Sequence, residues 1–138
     1  MNLIVNDNGF SKDDWNGGFS ALNDARPDVG IDLATSSDPG ELQGRLDDIS
    51  IIRVIFPNFS DGRGFTIARC LRLMGYNGRL RAAGHVIADQ YAMARRAGFD
   101  EIEIAGAIAE RQPEADWRFR ANWREHDYQS RLRGRIQF

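Results

Sequence analysis

The residues best suited to chemistry sit between an apolar run and a helical pattern, in Phe56-Pro57-Asn58-Phe59-Ser60-Asp61-Gly62-Arg63-Gly64-Phe65. In open α/β sheets ligands bind outside the carboxyl ends of the strands. A helix N-terminus adds free N–H groups and partial positive charge. Gly62 and Gly64 would let the backbone approach a ligand, and Arg63 would offer a planar fork to a carboxylate, phosphate or sulfur oxyanion. A capped turn accounts for the same residues equally well: Ser60 or Asp61 caps the helix and Asp61 pairs with Arg63.

The next such junction runs Arg81-Ala82-Ala83-Gly84-His85, followed by Asp89-Gln90. His85 falls at the same end of the sheet as Asp61 and Arg63, where it could move protons near neutral pH. Asp89 could orient Arg63 or Arg81, and Gln90 could bond a ligand. An acid in a first helical turn also suits the helix dipole without any ligand. Asp61, His85 and Asp89 are therefore the acid/base candidates. Arg53, Arg81 and Glu103 would form a charged wall, read either as a salt-bridge network or as a polar pocket.

Other chemistry finds little support. The single cysteine, Cys70, falls on the apolar stripe of its helix and reads as core packing. One Cys and two His give no metal cluster of the usual spacing. No Walker A, nucleophile-elbow or Cys-x-x-Cys motif occurs, so no cofactor can be named. The segment Trp117 to Phe138 interleaves aromatics with six arginines. Such a pattern can stack bases, but the net charge of −2 gives no bulk pull toward nucleic acid. A tail folded over the wall or into a subunit interface is the preferred reading.

These residues need a scaffold, and the chain's rhythm supplies one. Leu3 to Val5 is a short strand, and residues 10–28 read as a polar loop with a short helix. Strands are expected at 29–34, 51–56, 79–83 and 101–104. Helices are expected at 41–46, 64–74 and 86–97. Strand alternating with helix implies parallel βα units with right-handed crossovers. Alternate positions divide each strand. Ile31, Leu33, Ile52, Val54, Phe56, Leu80, Ala82, Ile102 and Ile104 share one face. Asp32, Arg53, Arg81, Glu101 and Glu103 share the other with Ile51, Ile55 and Ala83. A doubly wound sheet is apolar on both faces. This pattern instead predicts helices mainly on one face, as in part of a (βα) barrel, with the charged wall covered by the tail or by a second subunit.

The 138 residues are expected to form one domain. It divides into an N-terminal strand and loop (1–28), a βα core (29–105) and an Arg/aromatic tail (106–138). Charge is uneven: residues 1–50 sum to −7 and residues 51–138 to +5. No apolar run approaches the ~20 residues of a membrane span. The N-terminus lacks the basic and apolar regions of a signal peptide, so the default location is the cytoplasm.

Phe56-Pro57-x-Phe59-x-Asp61-Gly62-Arg63-Gly64-Phe65, Ala68-Arg69, Leu80-Arg81-Ala82-x-Gly84, Asp89-Gln90 and Gly98-Phe99-Asp100 together resemble a bacterial family catalogued as domain of unknown function 934. The likeness runs from Ile51 to Ile104, and Tyr128-Gln129 resembles the family's C-terminal Tyr-Gln pair. Genes of the family tend to lie beside assimilatory sulfite reductase. The resemblance therefore implies an accessory protein or oxidoreductase component of sulfite reduction, with sulfite reductase as partner. The matched polar positions, Asp61, Arg63, Arg69, Arg81, Asp89 and Gln90, coincide largely with the strand-end candidates. Gly62, Arg63, Gly64, Arg69, Arg81 and Gln90 are thus the expected binding residues of an oxyanion or docking site. Two other readings stand beside it: an independent small-anion enzyme, and an interaction module forming an obligate homodimer.

Overall fold

A strand that alternates apolar and charged residues can bury only one of its faces among other apolar groups, and this sets the layering. In the computed structural model, which describes residues 2–22, 29–58, 60–86, 88–106, 112, 114 and 117, seven strands form one sheet. They are β1 (Asn2–Asn6), β2 (Gly9–Ser11), β3 (Phe19–Ala21), β4 (Gly30–Ala34), β5 (Ile51–Phe56), β6 (Arg79–Gly84) and β7 (Glu101–Ala105). Two α-helices, α1 (Arg63–Leu73) and α2 (Tyr91–Ala97), join the last three. The sheet order is β2-β1-β7-β6-β5-β4-β3. Strands β3 to β7 are parallel and lie side by side in chain order, as in a stretch of βα barrel. The sheet stays open, with β1 closing the β7 side antiparallel and forming a hairpin with β2.

The expected division of faces holds. Ile31, Leu33, Ile52, Val54, Phe56, Leu80, Ala82, Ile102 and Ile104 join one core cluster with Ile67, Ala68 and Leu71 of α1 and Tyr91 and Ala94 of α2. Burying each such Ile, Leu or Val is worth roughly 1.5–3 kcal/mol relative to exposure. Both helices therefore cover the apolar face.

The opposite face is an ionic lattice. Register places Asp32, Arg53, Arg81 and Glu101 in one row across β4 to β7. Arg53 grips Asp32 at two points (2.7 and 2.8 Å) and Glu103 at 3.0 Å. Arg81, fully buried, bonds Glu101 at 2.7 Å and Glu103 at 2.9 Å. Arg53 and Arg81 lie directly opposite one another, a repulsive placement; Glu103, bonded to both, relieves it.

The N-terminal segment lies over this wall, a cover the sequence did not suggest. Residues 10–28, read as a loop with a short helix, contribute β2 and β3 at opposite edges of the sheet. The connecting segment, residues 12–18, passes over the charged face. Asp13 bonds Arg81, Asp14 bonds Arg79, and the Phe19 ring lies 3.9 Å from the Arg53 guanidinium. The acidic N-terminal third thus meets the Arg-rich remainder directly. Of the tail, Trp117 is buried against Tyr91, and the Glu114 carboxylate accepts the Phe10 N–H at 2.8 Å. Phe119, Trp123, Tyr128, Gln129 and Phe138 lie outside the described residues.

Of the expected helices, one is absent as an α-helix and one is shorter. Residues 41–46 form no α-helix; two 3-10 turns, Pro39–Leu42 and Leu46–Asp48, flank Gly44, whose φ of +84° breaks the helical path. The second helix begins as a 3-10 turn at Ala88–Gln90 and becomes α-helical from Tyr91.

Candidate functional site

A short chain of polar contacts forms where β4 and β5 end. Thr35 follows the last residue of β4, and Asp61 lies in the loop between β5 and α1. The Thr35 hydroxyl donates to Asp61 Oδ2 at 2.7 Å. Asp61 Oδ1 accepts the Arg63 backbone N–H at 3.1 Å and Arg63 Nε–H at 3.0 Å. Asp61 Oδ2 also accepts from Arg63 Nη2 at 2.8 Å. Asp61 thereby serves one open N–H of the helix start and grips the guanidinium at two points. The loop before it is tied by Asn58, whose side chain accepts from the Ser60 N–H and hydroxyl.

The two partners face different surroundings. The Asp61 side chain is 8% exposed, whereas that of Arg63 is 64% exposed. Hydrogen bonds from Arg63 and Thr35 hold the Asp61 carboxyl well below the usual carboxylate range. A carboxylate kept ionised so firmly is a poor proton shuttle near neutral pH. Its evident work is to aim Arg63, whose Nη1 edge carries no hydrogen bond among the described residues.

Arg63 borders a groove of about 280 Å³. Thr35, Ser37, Asp38 and Pro39 form one side, and Thr66, Ile67 and Cys70 of α1 form the other. The Asp38 carboxylate is turned onto the Gly40 N–H, where it caps the 3-10 turn. Cys70, expected in the core, is half-buried and lines this groove. The buried stripe of α1 runs through Gly64, Ile67, Ala68 and Leu71, and the ~100° step per residue turns Cys70 to its margin.

The other expected site residues divide among three places. Gly62 is exposed and caps the start of α1, with open space where a Cβ would stand. Gly64 is buried, and a Cβ there would overlap the Phe56 ring; packing, not ligand approach, requires this glycine. Arg69 is exposed on α1, outside the groove lining. His85 is exposed after β6, its backbone N–H bonded to Phe56 O at 3.2 Å. Asp89 is exposed and Gln90 half-buried at the start of α2. Arg81 belongs to the charged wall on the far side of the sheet. Arg63 is oriented by Asp61 and Thr35, and Arg81 by Glu101 and Glu103, with Asp13 on its outer edge, so the orienting role expected of Asp89 falls to these groups.

Thr35 and Asp13 went unnoticed in the sequence. Thr35 had a signal: it stands immediately after the Ile31–Ala34 run, at the end of a strand where ligand groups gather. Asp13 had none, because its partner Arg81 is 68 residues away.

Among the described residues, no group of three or more His, Cys, Asp or Glu could hold a metal ion. No described helix is long and apolar enough to cross a membrane. Residues 30–137 match the model of a family described as a bacterial protein of unknown function (DUF934). No curated protein and no solved structure matches the chain.

Proposed function

The chain belongs to the DUF934 family, and from that premise we propose that it binds a small oxyanion at the Arg63 groove as an accessory protein of assimilatory sulfite reduction. The observation that carries the binding step is the posture of Arg63. Its guanidinium is braced from behind by Asp61 and Thr35 and is exposed in front, beside a groove at the carboxyl ends of β4 and β5. A pre-oriented guanidinium loses less freedom on binding than a free one, so more of the contact energy appears as affinity. Sulfite, a compact oxyanion, fits both this chemistry and the gene neighbourhood that the family resemblance implies.

Binding, rather than catalysis, is the role the groove supports. Asp61 is locked as an anion and Arg63 is permanently charged. An electron-transfer role would need a redox group from a partner, and sulfite reductase is the partner this reading names. The strap at residues 12–18 supplies part of the cover that the tail or a second subunit was expected to give, so the charged wall does not by itself call for a homodimer.

Growth of a deletion strain on sulfate, sulfite or sulfide as sole sulfur source tests the reading. Growth on sulfide alone, rescued by the wild-type gene and not by Arg63→Ala at equal protein level, is the expected result. Equal growth on all three sources, with no second gene copy, overturns the sulfur assignment. Calorimetric titration of purified protein with sulfite tests the groove itself: Arg63→Ala is expected to lose one sulfite site that the wild type has.

A further inference from the structure

The charged face of the sheet carries an ion pair with the geometry of a bound ligand. Arg81 Nη1 meets Asp13 Oδ2 at 3.0 Å, and Nη2 meets Asp13 Oδ1 at 3.0 Å. This parallel two-point contact is how a guanidinium holds a free carboxylate or a similar oxyanion. Asp13 is delivered by a segment foreign to the lattice beneath it. We propose that the outer edge of Arg81 is a binding site for a carboxylate-like oxyanion, and that the strap at residues 12–18 occupies it as a displaceable internal competitor.

Three observations support displacement. First, the strap is held lightly. Lys12, Asp13, Asp14, Asn16, Gly17 and Gly18 are exposed, and the segment has no regular structure until β3 begins. Its inward contacts are the ion pairs to Arg81 and Arg79 and, at its end, the Gly30 N–H donated to Gly18 O at 2.9 Å; Asp14 is 75% exposed. The exposed Asp14–Arg79 pair adds little stability and is screened by salt, which leaves the Asp13 fork on buried Arg81 as the tie an incoming anion must replace. The Trp15 contacts are local, its backbone N–H to Asp13 Oδ1 and its indole N–H to Gly18 O at 2.7 Å. Gly18, at φ +69° with open space on its Cβ side, stands just before β3 and marks where the strap joins the sheet.

Second, Arg81 does not depend on Asp13 for its position. Glu101 takes its Nε–H and Glu103 its Nη1, both from the sheet itself. When the strap lifts, the guanidinium stays in place and two of its N–H donors face outward.

Third, the charges balance without the strap. Arg53, Arg79 and Arg81 are matched by Asp32, Glu101 and Glu103. The strap acids are therefore surplus, and one incoming anion replaces the Asp13 carboxylate without altering the charge. Burial opposes ionisation of Asp13, but the hydrogen bond and charge of Arg81 outweigh it and keep the group anionic.

The test uses the full chain carrying Arg63→Ala, so that its result is independent of the groove proposed above. Nitrogen-15 NMR follows the Arg81 Nε–H signal during titration with acetate and, separately, with sulfite, at fixed ionic strength. The same titrations are run with Asp13→Ala added, and again with Asp13→Asn, which keeps the strap's shape and removes its charge. Removing the internal competitor is expected to tighten binding at Arg81 by about tenfold for Asp13→Ala, and in the same direction for Asp13→Asn. Binding by acetate and sulfite alike defines a general oxyanion fork; binding by one alone names the ligand's class. An Arg81 signal unmoved by either probe, or equal affinities with and without Asp13, overturns the proposal and leaves the strap a fixed part of the fold.

Discussion

The Phe56 ring occupies the space that a side chain at residue 64 would need, so the last residue of β5 and the second residue of α1 are fitted to each other. The ring also touches Phe65 and Phe99, with centroids 5.1 and 6.0 Å away. Gly64→Ala forces this cluster to shift and is expected to cost about 1–3 kcal/mol, the usual penalty of overpacking. Gly62→Ala, beside open space, is expected to change stability by less than about 0.5 kcal/mol. Urea denaturation of the two variants checks the contrast. Equal effects would show that the helix start, not the Phe56 contact, sets the requirement.

Glu103 is the shared anchor of the charged wall. It accepts from Arg53, Arg81 and the Asn2 side chain, and its own side chain is 8% exposed. Glu103→Ala leaves two facing guanidinium groups without the carboxylate between them. The expected loss is about 3–5 kcal/mol, as for other broken buried pairs. Glu103→Gln keeps the shape but not the charge and is expected to fall between. Thermal melts of both variants give the order.

Arg72 ties the opposite end of the sheet. Its guanidinium donates to the carbonyls of Tyr76, Gly78 and Gly98 and to the Asp100 carboxylate, all between 2.9 and 3.0 Å. Arg72→Ala is expected to cost about 2–3 kcal/mol, since each bond to a charged group contributes more than a neutral one. Arg69→Ala, exposed one turn earlier, serves as the control and is expected to be near neutral.

Two buried tyrosines set the alkaline limit. Burial pushes the Tyr76 phenol above its ordinary value of 10.0, and its hydroxyl donates to Ile49 O and Arg79 O. Burial, with the Asp7 carboxylate beside it, pushes Tyr91 up in the same way. A group whose pKa is raised by folding gives stability that is complete below its unfolded value and is lost above it. Stability is therefore expected to fall as pH rises past about 10. Tyr76→Phe should flatten that decline, as read from melting temperature against pH.

The acidic limit has the opposite sign. Asp14 is held down by its hydrogen bond to Arg79, and Asp61 by those to Arg63 and Thr35. Lowered carboxylates contribute stability above their ordinary 3.8 and lose it as pH falls through their folded values. Unfolding is expected to begin below about pH 4. Raising salt should weaken the Asp14 contribution first, because that pair is the more exposed.

The sequence by itself determined the parallel order of β4 to β7, the positions of those strands and of β1, and the two faces of the sheet. These follow from alternation and helical spacing, which are local and can be read within a few residues. It also placed Asp61 and Arg63 together at a strand end, because they are two residues apart. Tertiary structure decided what local spacing cannot carry. Asp13 reaches Arg81 across 68 positions, so only folding shows that the strap crosses the wall. Arg53 and Arg81 look alike as charges within a strand, and register with Glu103 alone makes them a lattice. Gly64 carried the signature of a ligand loop, and the Phe56 ring turned it into a packing residue. The physical reason is the same in each case: a side chain's partners across the sheet are chosen by strand order and register, which no single segment encodes.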